Sequence, residues 1–404
     1  MISRREALDR VLARAERQPA EQVLLLEAAG RVLAEDIAAD HDVPPFPRSS
    51  MDGYAVRAAD VTNVPATLEV VGLVAAGVTP DFEVQTGQAA KIMTGAPVPP
   101  GADAVVMVER TARPDSQHVE IQAAVLAGSN IAPLGTEAKA GQIVARAGTY
   151  ITPAVISVLA TFGRNVVKAY RAPSVAILAS GDEIVDVSKT PATSQIRNSN
   201  SYCLFVQVNQ AGAKPSLLGI AGDDKSVLRA KVTEGLKYDV LLTTGGVSMG
   251  DLDLLEEVFS GSGCEVYFNK VAVKPGKPMV FAKAGGTLIF GLPGNPVSAA
   301  TTFELFVRPA IRKMMGFTTF ELPVVKARLA DNFQNRSERE YYAVAVTKYA
   351  DGNYLTQPLR SKGSADIFAF GQSNSYLICP RDRTEFVAGE EVEVLLRTEA
   401  FSGH

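Results

Sequence analysis

From Asp239 to Asp253 the chain reads DVLLTTGGVSMGDLD, an apolar run with β-branched residues that meets paired glycines, a small polar loop and two aspartates. The pattern predicts a fully buried strand that ends where Gly245 and Gly246 let the backbone turn sharply, so that its amides can face an anion. Lys270, Lys274 and Lys277 follow shortly after and supply cations for such a ligand. Taken alone, the same residues also describe a tight strand-to-helix connection.

The neighbouring sequence sets that strand in a sheet. Residues 174–179 read as a buried strand, 199–211 as a helix stopped by Gly212, 216–220 as a strand, 225–236 as a helix and 240–244 as the next strand. Alternating β and α implies a doubly wound parallel sheet, whose ligands sit beyond the carboxyl ends of the strands. The loops at 180–183, 222–224 and 245–253 are expected to converge there, each with acidic residues. A last helix runs from Asn295, its candidate N-cap, through Pro296 to Met315, with Gly316 as its stop.

Outside this core, Ser3 and Glu6 form a capping box for an amphipathic helix, and a second helical stretch is expected at 22–29. The Pro-rich passages DVPPFPR (42–48) and TGAPVPPG (94–101) exclude helix and central strand. They bound a segment with β-rich text at 68–74 and 104–108. A short helix is expected after Thr152-Pro153, through Leu159. Beyond Glu321 short strands return, with Asp351-Gly352 as a hairpin turn between 341–349 and 354–358, which suggests a small β-barrel or sandwich.

With 404 residues, 47% hydrophobic and 21% charged, the chain has the composition of a globular protein of several domains. A net charge of -4 argues against a general nucleic-acid or anionic-membrane surface, so any anion site is local. Cys203, Cys264 and Cys379 form no C-x-x-C pair, and His41, His118 and His404 are isolated; metal chemistry would need oxygen ligands. No apolar run approaches the roughly 20 residues that span a bilayer, and a cytoplasmic protein is expected.

Six separated segments carry a more specific message: PPFPRSSMDGYAV (44–56), KIMTGAPVPPGADAVVMVE (91–109), SGDEIV (180–185), TTGGVSMGDLD (243–253), VAVKPGKP (271–278) and GLPGNPVSA (291–299). In this order they resemble the molybdopterin molybdenumtransferase (MoeA) family, whose eukaryotic relative is the E domain of gephyrin. The resemblance implies a multidomain α/β plus β fold. Its parts are an elongated helical linking domain from 1–41 and 141–170, a β-rich lobe at 42–140, a MogA-like doubly wound molybdopterin-binding α/β domain at 171–320, and a C-terminal β-barrel at 321–404. It also implies a homodimer, with molybdopterin adenylyltransferase as a partner and no nucleic acid or membrane. The family's reaction takes adenylylated molybdopterin and molybdate, inserts the metal into the dithiolene and releases AMP, with Mg2+ required.

That chemistry asks for cations and amide donors around two anions, and for carboxylates that hold a divalent cation. On the resemblance, Lys270, Lys274 and Lys277 take the oxyanion and phosphate, while Gly245, Gly246, Ser248 and Gly250 wrap the pterin phosphate. Pro293, Asn295 and Pro296 offer a helix start to an anion, and Ser364 stands near the cleft. Asp52, Glu183, Asp223 and Asp253 match the acids of the pterin and metal site, with Asp52, Glu183 and Asp253 as metal ligands. Asp52 and Thr94 are placed across the cleft from the α/β domain. Plainer readings exist for several: Asp-Gly and Thr-Gly are common turn formers, and Asn295-Pro296 also caps a helix.

Two departures from the family pattern stand out. NIAPLGTEA at 130–138 puts Ala132, Pro133 and Leu134 where basic residues are expected, and Glu137 where an aspartate is. In REYYAVAV an arginine expected near Tyr342 and Ala343 is missing, with Arg339 as a partial substitute. Because lysine does not reproduce bidentate guanidinium contacts, a tungstate-preferring or low-activity paralogue stays open beside the insertase reading, as does a molybdopterin-binding carrier or scaffold. A generic Rossmann dehydrogenase is excluded, since no G-x-G-x-x-G follows 174–179.

Overall fold

The apolar run before the paired glycines is a strand, Val240–Thr244, buried at every residue. It lies in the first of two units of the computed structural model, Met1–Ala34 with Val167–His404; the second is Glu35–Val166. The structure describes residues 1–222, 224–245 and 264–397.

The first unit is built on a six-stranded sheet. In chain order its elements are β1 (Ser174–Ser180), α1 (Asn200–Ala211), β2 (Lys214–Ala221), α2 (Lys225–Gly235), β3 (Val240–Thr244), β4 (Glu265–Lys270), β5 (Pro278–Ala284) and β6 (Thr287–Leu292). The strand order is β2-β1-β3-β6-β5-β4. β2, β1, β3 and β6 are mutually parallel, as the β/α alternation requires, whereas β5 runs antiparallel to both of its neighbours, β6 and β4. Antiparallel strands need no crossover helix, which is why a β-hairpin rather than a helix joins β5 to β6.

The long helix after β6 starts at Pro296 as expected but is not uniform. α3 (Pro296–Thr302) passes through a π-type turn, Phe303–Val307, into α4 (Arg308–Met314), and left-handed Gly316 ends it. Pro309 has no N–H to return to Leu305, and a widened turn just before it absorbs that missing bond. Phe303, Phe306, Phe281 and Phe290 are fully buried in the main core. The N-terminal helix Arg4–Arg14 adds Ala7, Leu8 and Val11 to the same core. Ser3 caps it through the Glu6 amide, but the Glu6 carboxylate turns to Arg10 instead of closing the box. The helix expected at 22–29 is replaced by a strand, Ala20–Leu24, paired with Val166–Tyr170, and a 3-10 turn, Leu25–Ala28. Pairing with a strand more than a hundred residues away outweighs the local preference.

Five further strands of this unit close a barrel: β7 (Val324–Leu329), β8 (Glu340–Ala350), β9 (Asn353–Pro358), β10 (Ser375–Cys379) and β11 (Glu391–Leu396). The ring runs β8-β9-β7-β11-β10 and returns to β8. The β8-β9 hairpin turns at Asp351 and Gly352, with φ of 51° and 79°, the pair of positive angles a two-residue turn of this kind demands. Along β8 the side chains alternate: Tyr341, Ala343 and Ala345 join the barrel interior, and Tyr342 and Val344 join the main core.

The second unit, taken by itself, centres on another six-stranded sheet in the order Ala104–Met107, Gly53–Val56, Gln88–Ile92, Ala66–Val74, His118–Ile121 and Thr111–Ala112. Tyr54, Val56, Leu68, Val106 and Ile121 pack its core. The helix Pro153–Thr161, capped by Thr152, belongs here too.

Candidate active site

At the carboxyl ends of β1, β3 and β6 lies a cavity of about 1170 Å3, walled on its far side by the loop before β8 and the 361–365 loop. The first requirement for such a space is that the strand ends come close together. Gly245 meets it: its φ is +84°, and a Cβ there would stand 2.2 Å from the Ser180 carbonyl oxygen. Only glycine fits both constraints. After β1 a small ribbon, Ile184–Val185 paired with Ile196–Arg197, brings Glu183 and Arg197 to the cavity wall.

A second wall is the turn Lys274-Pro275-Gly276-Lys277, all four residues of which line the cavity. The strand Val273–Lys274 adds in parallel to Glu340 and Tyr341 of the barrel, and the Arg339 guanidinium donates to the Val273 carbonyl at 2.8 Å. Gly276, at φ +118°, packs so tightly on α3 that a Cβ would meet Thr302 at 2.4 Å. The Lys274 ammonium sits 4.4 Å from the centroid of the Tyr341 ring, a cation–π contact that holds it in place. Among the described lining residues, Arg197, Lys274, Lys277 and Arg339 stand against one carboxylate, Glu183. These described lining residues therefore carry a net positive charge in a chain whose net charge is -4.

Asn295 and Ser364, both expected at the site, are brought together. The Asn295 side chain does not cap α3; its amide donates to the Ser364 hydroxyl at 2.7 Å, and the Val297 amide donates to the Ser364 carbonyl at 3.1 Å. These bonds join the helix start to the barrel loop. Pro293 and Pro296 line the same wall.

Lys270 is not brought to the cavity. It ends β4 opposite Pro278 and is exposed; backbone bonds between residues 270–272 and Ile2 hold it at the sheet edge. Asp52 and Thr94 meet each other in the second unit: one Asp52 carboxylate oxygen accepts from the Thr94 amide at 2.7 Å and from its hydroxyl at 2.8 Å. These donors, the backbone amide first, hold the Asp52 carboxyl below the usual carboxylate range. Asp223, Gly246, Ser248, Gly250 and Asp253 lie outside the described residues. Among the described residues, no group of three or more His, Cys, Asp or Glu is placed to hold a metal ion.

At the two places where the motifs depart from the family pattern the structure shows the following. Near the missing arginine, Ala343 is 1% exposed and faces the barrel interior, whereas Tyr342 lines the cavity, as does Arg339. In the second unit Ala132 pairs with Arg48, whose guanidinium forms a 2.5 Å ion pair with Glu137. Arg197 and Asn200 also line the cavity and were not singled out by motif. Their only sequence signal is position: Asn200 opens the first helix after a strand of a doubly wound sheet and Arg197 lies just before it, where ligands gather.

Three family sequence models match the chain: the MoeA N-terminal region (domain I and II) over residues 2–163, the probable molybdopterin binding domain over 176–313, and the MoeA C-terminal region (domain IV) over 326–396. A Bacillus subtilis protein named molybdopterin molybdenumtransferase is 37% identical over 402 residues, covering 98% of this chain and 94% of its own length. A namesake from Staphylococcus aureus is 34% identical over 97% of this chain and 94% of its own. The crystal structure of a molybdopterin biosynthesis moeA protein from Pyrococcus horikoshii superposes with a TM-score of 0.83 at 32% identity, covering 98% of this chain and 100% of that one. With three regional matches in order and near full-length likeness to these proteins, the chain belongs to the MoeA family of molybdopterin molybdenumtransferases.

Proposed function

We propose that this chain inserts molybdenum into molybdopterin, taking adenylylated molybdopterin and molybdate into the cavity at the strand ends and releasing AMP. Family membership supports the class, a transferase of molybdenum cofactor biosynthesis. The observation that carries the reading is the charge of the cavity, in which four cations face one carboxylate among the described lining residues. An oxyanion and a nucleotide phosphate both need that environment.

In this reading Lys274 and Lys277 hold the oxyanion as point charges, and Arg339, anchored on Val273, offers the planar fork. The Gly245 turn and the start of α3 provide backbone donors for phosphate. Magnesium takes one or two carboxylates and otherwise keeps water and phosphate oxygens, so Glu183 with the acids expected at Asp223 and Asp253 suits it. Bound there, it would neutralise charge on the phosphoanhydride of the substrate. Asp52, oriented by Thr94, is a further acid assigned to the reaction. A homodimer, an adenylyltransferase that hands over its product, and the four-part division at 1–41 with 141–170, 42–140, 171–320 and 321–404 belong to the same proposal. So does a cytoplasmic setting; among the described residues no helix is long and apolar enough to cross a membrane.

Replacing Lys274 or Lys277 with alanine tests the assignment. Each is expected to raise the molybdate concentration for half-maximal rate by about tenfold, and an unchanged value would move the oxyanion elsewhere. Glu183→Ala is expected to abolish turnover with the circular dichroism spectrum unaltered.

A further inference from the structure

We propose that Asn200 is a positioning residue for this site: its side-chain amide locks two adjacent strand-end turns together and so fixes the backbone that receives the phosphate-bearing end of the substrate. The inference rests on the functional reading above. Asn200 is the first residue of α1 and lines the cavity. Its Nδ2 donates to the Thr244 hydroxyl at 2.8 Å and to the Gly294 carbonyl at 2.7 Å. Thr244 is the last residue of β3 and stands in register with Leu292 at the end of β6. One amide therefore spans the turn that begins at Gly245 and the turn Pro293-Gly294-Asn295. The two turns are in contact, since a Cβ on Gly294 would lie 3.6 Å from the Gly245 Cα.

The chemistry of the bond explains the residue. Two N–H groups on one nitrogen can serve two acceptors at once; a serine or threonine has one such donor, and an aspartate has none. A trans peptide points its N–H opposite to its carbonyl. Holding the Gly294 oxygen toward α1 thus fixes the direction of the Asn295 N–H at the start of α3. The Asn200 Oδ1 is buried and accepts no hydrogen bond from the described residues. Gln207, two turns further along the same helix, also donates twice from one nitrogen, to Ala300 and Glu304, yet its oxygen is met by the Cys203 thiol.

The test measures equilibrium binding of adenylylated molybdopterin to the full chain, with thermal unfolding alongside, for the wild type, Asn200→Asp, Asn200→Ser and Gln207→Ala. Asn200→Asp removes both donors, sets a carboxylate against the Gly294 carbonyl and leaves a helix start that tolerates negative charge. It is expected to weaken binding about tenfold while lowering the melting temperature no more than Gln207→Ala does. Asn200→Ser keeps one donor and is expected to fall between it and the wild type; it stands in if the aspartate variant does not fold. Gln207→Ala is expected to lower the melting temperature and keep the affinity. Binding by Asn200→Asp within about threefold of wild type, or affinity losses that follow melting temperature across all variants, would overturn the proposal. A wild type that binds no adenylylated molybdopterin would instead remove the functional reading, and this inference with it.

Discussion

Replacing Gly245 with alanine puts the closeness of the strand ends to a quantitative test. Two penalties add. An L-residue at φ +84° costs roughly 1–2 kcal/mol from the clash of its own Cβ with the backbone. The new Cβ would also stand 2.2 Å from the Ser180 carbonyl oxygen, about 1 Å inside ordinary contact, and both partners are backbone. Forcing two strand ends apart by that distance resembles overpacking a core, at roughly 1–3 kcal/mol. The total is roughly 2–5 kcal/mol. Gly219, in β2 of the same sheet, supplies the control: its φ is +89°, but nothing lies within 4 Å of a Cβ there. Gly219→Ala therefore carries the dihedral cost alone. Urea denaturation of both variants, compared as a pair within one sheet, isolates the contact. Gly245→Ala is expected to be the less stable by roughly 1–3 kcal/mol. Equal losses in the two variants would refute the packing of β1 against the Gly245 turn.

Other consequences are equally direct. Asp239 accepts from Arg171 and from the Ser174 amide and hydroxyl. Burial raises its pKa, but those partners outweigh burial and hold it below the usual aspartate range. A depressed carboxylate contributes stability that is present above its unfolded pKa and is lost as pH falls through its folded one. The deficit of Asp239→Asn is thus expected to be roughly 1–3 kcal/mol at pH 7 and to shrink below about pH 4, and a deficit that stays constant to pH 3 would contradict this. Ala343→Arg would bury a guanidinium inside the barrel and is expected to cost more than about 4 kcal/mol in denaturant, with no gain in molybdate affinity; a folded variant with tighter molybdate binding would show that position 343 does reach the cavity. Arg4 joins the N-terminal helix to Glu321 at 2.6 Å and Glu340 at 3.3 Å, so Arg4→Ala is expected to cost roughly 1–2 kcal/mol, and a loss within error in urea would show that link to be idle.

Local sequence was informative where local physics decides. The Asp351-Gly352 turn, the Val240–Thr244 strand and the Pro296 start and Gly316 stop of the long helix all follow from dihedral preference or burial of adjacent residues. It was silent where a distant partner decides. Residues 22–29 carry a helical look, yet Val166–Tyr170 recruits Ala20–Leu24 as a strand. The candidate site divided along the same line. Lys274 and Lys277 flank a short turn and reach the cavity together. Lys270, a few residues away, is drawn to the sheet edge by the N-terminus. Of the positions near which the motif leads to an expected arginine, strand alternation turns Ala343 inward, whereas Tyr342 lines the cavity, as does Arg339. Asn200 carried no motif, since the two acceptors it joins lie 44 and 94 residues downstream.

The proposed coupling of an oxyanion to cleavage of an adenylylated pterin in this cavity is tested most directly by AMP release from adenylylated molybdopterin with magnesium, in the presence of molybdate, of tungstate, or of neither. Release is expected to depend on molybdate and to fall to background without an oxyanion. Release that ignores molybdate, or tight binding of the pterin with no AMP formed, would contradict it.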